Sequence, residues 1–313
     1  MSLTPLLTNP AVSKLAQLIA CAVWILKDEK DKSRQLLFLG LVGSVFYQGL
    51  LNAFMATANR ALPWKYDYYL LCVDRAMGVS SGGLALALRG PWPSILNVVY
   101  GLMLPAIIFW LVLNRKANAG VVRAYFALLI GGPVLYSLLP AAGPVYTFGK
   151  EWTNPPVVQA KLIQLDTPIN AFPSIHLAVA LFFVLTAKST LWRSLSLAFL
   201  AGTALATLTT GEHYVIDLVG GLAFGCFMVS IGKRKTWAAL GYLGVALVWL
   251  FAIRWGVHGL MAHAGMVRLA AALTMALAAR AVWTEWSADT CKALDQETAL
   301  TQNEVSSRAM PSA

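Results

Sequence analysis

Long apolar runs separated by short charged turns dominate this chain. They extend from about Leu15 to Leu26, Leu37 to Thr57, Ile95 to Leu113, Val121 to Leu139, His176 to Ala187, Leu195 to Leu208, Tyr214 to Ile231, Trp237 to Ile253 and Met266 to Trp283. Each reads as a helix, and most approach the roughly 20 residues that a bilayer crossing needs. The pattern predicts an all-α, polytopic membrane helix bundle of about nine spans. The first run lacks a clear small-residue cleavage site and reads as a retained helix rather than a signal peptide. Between Arg60 and Arg89, aromatic and charged residues alternate too densely for a comfortable span, which predicts an interfacial helix in the headgroup layer. The longest polar loop, Ala141 to Phe172, has the length of a lid or binding loop. Beyond Ser287 the chain is polar and is expected to be disordered.

Composition supports the membrane reading. Hydrophobic residues make up 58% and charged residues 12%, about half the charged share of soluble domains. The net charge of +10 points to cytoplasmic loops and anionic lipid headgroups, and no basic patch interleaved with aromatics suggests nucleic acid. Short basic loops at Lys27–Arg34, Arg115–Arg123, Lys188–Arg193 and Lys233–Lys235 alternate with less basic ones. The positive-inside rule then puts the N-terminus outside and the C-terminus inside. The loops ending at His176 and His213 fall together on the extracytoplasmic side, as in a protein of the plasma (inner) membrane. Cys21, Cys72, Cys226 and Cys291 lack metal spacing, and His258 and His263 lack a third ligand. Neither a metal nor a cofactor is expected.

The candidate chemistry is concentrated in two places. His213 and Asp217 are four positions apart at the mouth of an apolar run, a spacing that brings side chains together on a helix. Asp217 can then orient the His213 imidazole and favour its cation. Upstream, Phe172-Pro173-Ser174-Ile175-His176 places a serine and a second histidine where the long loop enters another apolar run. Ionisable residues at such positions are costly and point to function. A satisfied but inert intramembrane pair, or a proton relay in a transporter, would also use His213 and Asp217. The transporter predicts broken helices and paired half-repeats, and no internal repeat is visible.

Pro173-Ser174-Ile175-His176, followed by His213 with Asp217, resembles the second and third motifs of the type 2 phosphatidic acid phosphatase superfamily. The likeness extends loosely from about Tyr66 to Lys233 and is nearest the branch that includes inositol phosphorylceramide synthases. It implies a six-helix phosphatase-like core and a phosphohistidine mechanism on a lipid phosphate ester. By the resemblance, His213 is the nucleophile, Asp217 its orienting carboxylate, His176 the acid that protonates the leaving group, and Ser174 a phosphate ligand. The chain departs from the pattern in three places. It has no Arg-Pro dipeptide for the first motif, Thr207 stands where the third motif has arginine, and Ile175 stands where the second has glycine. Lys150, Arg75 and Lys65 are the candidates for the missing cationic contacts.

The implied organisation is 1–65 N-terminal membrane helices, 66–235 a lipid phosphatase/phosphotransferase-like catalytic domain, 236–286 C-terminal membrane helices, and 287–313 a cytoplasmic tail. A cation-poor site discriminates less against a singly charged diester than one built for a monoester dianion. The expected activity is therefore phosphotransfer from a phospholipid to a lipid or polyol hydroxyl. Hydrolysis of a lipid phosphate monoester such as phosphatidic acid or an isoprenyl phosphate, with water as acceptor, is the alternative. The transporter is the third reading.

Overall fold

The computed structural model describes residues 51–308 apart from 52, 89, 114–118, 157, 158 and 168. After a helical segment, 53–61, the elements are β1 (Trp64–Lys65), α1 (Asp67–Met77), α2 (Ser81–Ala87), α3 (Trp92–Gly101), α4 (Met103–Leu113), α5 (Ala119–Leu138), α6 (Pro144–Phe148), a 3-10 turn (Gly149–Glu151), β2 (Ile163–Gln164), α7 (Ile175–Thr186), α8 (Thr190–Thr209), α9 (Val215–Gly232), α10 (Thr236–Ala262) and α11 (Ala264–Arg308). Local sequence sets several boundaries. Ser174 and Ser189 cap α7 and α8 by accepting the amides of Leu177 and Trp192, as N-cap serines do. Gly78, at φ 76°, closes α1 in the left-handed conformation.

Helix α9 is the hub, packed against α10, α7, α5, α11 and α1. Its buried share is 78%, whereas the other long apolar helices bury 22–50%. The difference identifies α9 as the centre of the bundle among the described helices and the others as more peripheral. Side chains such as Trp237 and Trp255 are accordingly 87% and 72% exposed. The long apolar helices make this an integral membrane protein.

Among the described residues, five helices are long and apolar enough to cross a membrane: Gly120–Leu138, Thr190–Thr209, Val215–Gly232, Thr236–Ala262 and Ala264–Ala288. Counting two bent pairs as spans raises this to seven, against the nine expected. The Leu15–Leu26 run and all but the end of Leu37–Thr57 lie outside the described residues. The run Ile95–Leu113 is broken, with α3 and the following helix meeting at 51°. Pro105 falls in the first turn of α4, where a proline is tolerated, so the break lies just before it. The run from His176 forms only the 12-residue α7.

The stretch expected at the headgroup layer forms two helices, α1 and α2, bent by 67°. Leu70, Leu71, Val73, Asp67 and Asp74 are buried on α1, because its apolar face packs against α10, α11 and α9. The tail expected to be disordered continues α11 as helix to Arg308. Its alanines, glutamates and glutamines are good helix formers.

The loop from Ala141 to Phe172 is tied down along its length. Strand β2 pairs antiparallel with β1, Trp64 opposite Gln164 and Lys65 opposite Ile163. The Ala171 amide donates to the Ala141 carbonyl, closing the loop on itself at 3.0 Å. The loop leaves through a cis Phe172–Pro173 peptide into Ser174.

Close packing of α7 on α9 depends on glycine. A Cβ at Gly220 would lie 2.7 Å from the Phe172 ring, and one at Gly221 would lie 2.6 Å from the Ser174 carbonyl oxygen. Gly221→Val should therefore force α7 off α9. Overpacking typically costs about 1–3 kcal/mol, and a backbone atom cannot rotate away as a side chain can. We expect a clear drop in melting temperature in detergent, with Gly241→Val, whose Cβ would meet nothing within 4 Å, as the tolerated control.

Candidate active site

The start of α7, the end of α8 and the start of α9 converge at one end of the bundle. The basic turns at Lys188 and Lys233–Lys235 close the opposite ends of α7 and α9. His176 lies in the first turn of α7, and His213 two residues before α9. Their rings face each other with centroids 5.8 Å apart, edge to face. Asp217 lies within hydrogen-bonding distance of His213, Oδ2 to Nδ1 at 3.3 Å, and both are buried. The same Oδ2 accepts the Tyr214 amide at 2.7 Å, so Asp217 orients the imidazole and caps its own helix. With Nδ1 directed at Asp217, Nε2 is the nitrogen left for a substrate. Burial pulls the His213 imidazole down to about 4, against the opposing pull of the Glu212 carboxylate and the Ala171 carbonyl. The ring is therefore neutral, with an available lone pair, at physiological pH.

Two further carboxylates hold this end together. Asp74 accepts the amides of Val215 and Ile216 at 2.8 and 2.9 Å, the first two of α9. Asp67 accepts the amides of Ala142 and Gly143 and the Tyr214 hydroxyl. Both are buried on α1, seven residues apart and hence two turns along one face. Gly143, at φ 107°, lets the loop backbone approach Glu212, where a Cβ would lie 2.3 Å from the Glu212 carbonyl oxygen.

The profile of the PAP2 superfamily matches residues 69–231. The chain belongs to the PAP2 superfamily. No curated protein and no solved structure matches it. Members of the PAP2 superfamily are generally phosphatases or phosphotransferases, and the apolar bundle is consistent with a lipid phosphate substrate. The matched segment starts within α1 and ends within α9, so it contains both histidines, Asp217 and Asp74.

Within this PAP2 chain, the residues expected at the site separate into two groups. His176, His213, Asp217 and Ser174 come together. The Ser174 hydroxyl caps α7 through the Leu177 amide, and its own amide donates to the Asp217 carbonyl at 2.9 Å. The cations do not join them. Arg75 donates to the carbonyls of Pro155 and Pro156, bracing the loop. Lys65 is buried with its ammonium on Asn59 Oδ1 and the Leu62 carbonyl. Lys150 is exposed on the 3-10 turn. Loop carbonyls without backbone partners compete for any long cation, which sequence spacing does not reveal.

Among the described residues, no three of His, Cys, Asp and Glu are grouped to hold a metal ion. His258 is exposed, and the His263 ring lies 3.0 Å from the Gly259 carbonyl oxygen. Sequence reasoning missed Asp67 and Asp74 as site-forming residues. Their seven-residue spacing among apolar positions was the available signal.

Two outcomes follow from this geometry. Asp74→Ala leaves two amides at the start of α9 without acceptors, each costing about 1–3 kcal/mol. It should lower both melting temperature and turnover, and native-like values of both would contradict the anchoring role. The second concerns protons. Because His213 is held at about 4, below its ordinary 6.5, the folded protein binds fewer protons than the unfolded chain between those values. The stability contributed by the neutral ring is complete above pH 6.5 and is lost as pH falls toward 4. His213→Gln should flatten the melting temperature against pH over that interval, and an unchanged slope would contradict the buried neutral ring.

Proposed function

We propose that this chain is a membrane lipid phosphotransferase of the inositol phosphorylceramide synthase-like kind, working through a phosphohistidine. The observation that carries the reading is the buried His213–Asp217 pair facing His176 at 5.8 Å, with Arg75 and Lys65 engaged elsewhere. His213 Nε2 attacks phosphorus of a phospholipid diester, and the P–O bond to the diacylglycerol breaks. Neutral imidazole adds no negative charge to an already anionic ester, and Asp217 stabilises the cation that forms. His176, protonated once the anionic ester is bound beside it, donates that proton to the departing alkoxide, a contribution typically of about two to four orders of magnitude. A lipid or polyol hydroxyl then gives its proton to His176 as its oxygen attacks the phosphohistidine, restoring His213.

Fixed donors must meet the phosphoryl oxygens. The start of α7 offers amides that no helical turn satisfies, beside the Ser174 hydroxyl. The absence of Lys and Arg contacts to either histidine among the described residues fits a singly charged diester better than a monoester dianion. The location that goes with this reading is the plasma (inner) membrane, with the site on the extracytoplasmic side, opposite the basic turns.

Incubation with phospholipid labelled at phosphorus, with and without ceramide or diacylglycerol, tests the proposal. Label should appear on the protein and pass to the acceptor lipid. His213→Ala should lose both, and His176→Ala should be crippled except toward donors whose leaving group needs no protonation. Rapid release of inorganic phosphate from phosphatidic acid, with no acceptor-dependent lipid product, would instead establish a phosphatase. Near-normal activity of His213→Ala would remove His213 as nucleophile.

A further inference from the structure

A carboxylate that the mechanism above leaves unused lies next to His213 in the chain, with aromatic side chains nearby. Glu212 directly precedes His213 and is half-buried. Its Oε1 accepts the Tyr146 hydroxyl at 3.0 Å. Burial and Glu212 push the Tyr146 phenol up to about 12, so it remains a donor and its ring stays uncharged. Tyr100, on α3, stacks on the His176 ring with centroids 4.5 Å apart, and the Glu212 charge acts on both Tyr100 and His213. The Trp152 indole packs over Gly211, 3.0 Å from where a Cβ would lie, which brings a third aromatic side chain beside the Glu212 backbone.

No lysine or arginine forms an ion pair with Glu212 among the described residues. A negative charge without a cationic partner among the described residues repels a second anion, and a ligand that carries a positive charge of its own offsets that repulsion. Aromatic faces attract cations through their quadrupole, by about 0.5–1 kcal/mol when exposed and about 2 when desolvated. A carboxylate among tyrosine and tryptophan rings is thus matched to an ammonium, whereas a neutral polyol would leave the charge unanswered. We infer that Glu212, Tyr146, Tyr100 and Trp152 form a headgroup subsite for a zwitterionic phospholipid, binding the ammonium of the donor while His213 and His176 face its phosphodiester. This rests on the phosphotransferase reading for the donor's role; it keeps the phosphohistidine chemistry proposed above but departs from the inositol-type donor, replacing its polyol headgroup with a cationic one.

Binding can be measured apart from turnover. The full chain carrying His213→Ala, in detergent, is titrated with dioctanoyl phosphatidylcholine, phosphatidylethanolamine and phosphatidylglycerol, which share chains and phosphodiester and differ in headgroup. At least a tenfold tighter binding of the two zwitterionic lipids is expected. Adding Glu212→Gln should reduce that preference to within threefold, and Trp152→Ala should weaken phosphatidylcholine more than phosphatidylglycerol. Should Glu212→Gln fail to fold, Tyr146→Phe, which frees the carboxylate but keeps the ring, should retain at least half of the preference on a logarithmic scale.

Equal binding of phosphatidylglycerol to the His213→Ala protein would overturn the subsite, as would a preference that survives Glu212→Gln. Preference without any transfer by the unmodified protein would retain the subsite and reject the phosphotransferase. Transfer without preference would do the reverse.

Discussion

The first turn of a helix presents amides with no partner in the helix itself, and inside a membrane protein those amides must find acceptors. At the start of α9 they find carboxylates. Asp74 takes the amides of Val215 and Ile216, and Asp217 takes that of Tyr214. The site depends on this satisfaction, because His213 is the residue just before that capped turn. Asp67 extends the same support to the Tyr214 hydroxyl and to the loop at Ala142–Gly143. The segment between α1 and α9 therefore encloses a site whose two edges are hydrogen-bonded to each other. It also follows that the anion-attracting end of α9 is already occupied by the protein's own carboxylates.

How much of this was legible in the sequence differs from residue to residue. The meeting of His213 with Asp217, and of both with His176, followed from spacing and from polar residues at the mouths of apolar runs. The reason was only partly right, since His213 is not on the helix. Asp217 is its third residue and reaches back to the Tyr214 amide as a cap, which brings it to the imidazole on the way. Superfamily membership was legible for the same reason, because a histidine pair needs few residues to announce itself.

Asp67 and Asp74 were visible as letters but not as anchors. Acidic residues among tyrosines look like a surface at the headgroup layer, and only the third dimension shows that their partners are amides more than 70 residues away. The cations failed for the complementary reason. A long side chain goes to the nearest unsatisfied carbonyl, and for Arg75 and Lys65 those are at Pro155, Pro156 and Leu62. Helix lengths were the other weak point. Hydropathy sees an apolar run from His176 but not that it stops after 12 residues of helix, nor that Pro105 splits another.

The shortness of α7 has a consequence for where reactants come from. Twelve residues rise about 18 Å, whereas the hydrocarbon core is about 30 Å thick. A helix that begins at Ser174 and ends beside Lys188 cannot carry both of its ends to the two membrane surfaces. With the Lys188 turn set at one surface, the first turn, with His176, would stop about 12 Å short of the opposite one. Molecules confined to the bilayer would reach that depth by lateral diffusion in two dimensions, with their acyl chains never leaving hydrocarbon. At such a depth a lipid hydroxyl would be supplied at a higher local concentration than bulk solvent, before any side chain distinguished one from the other.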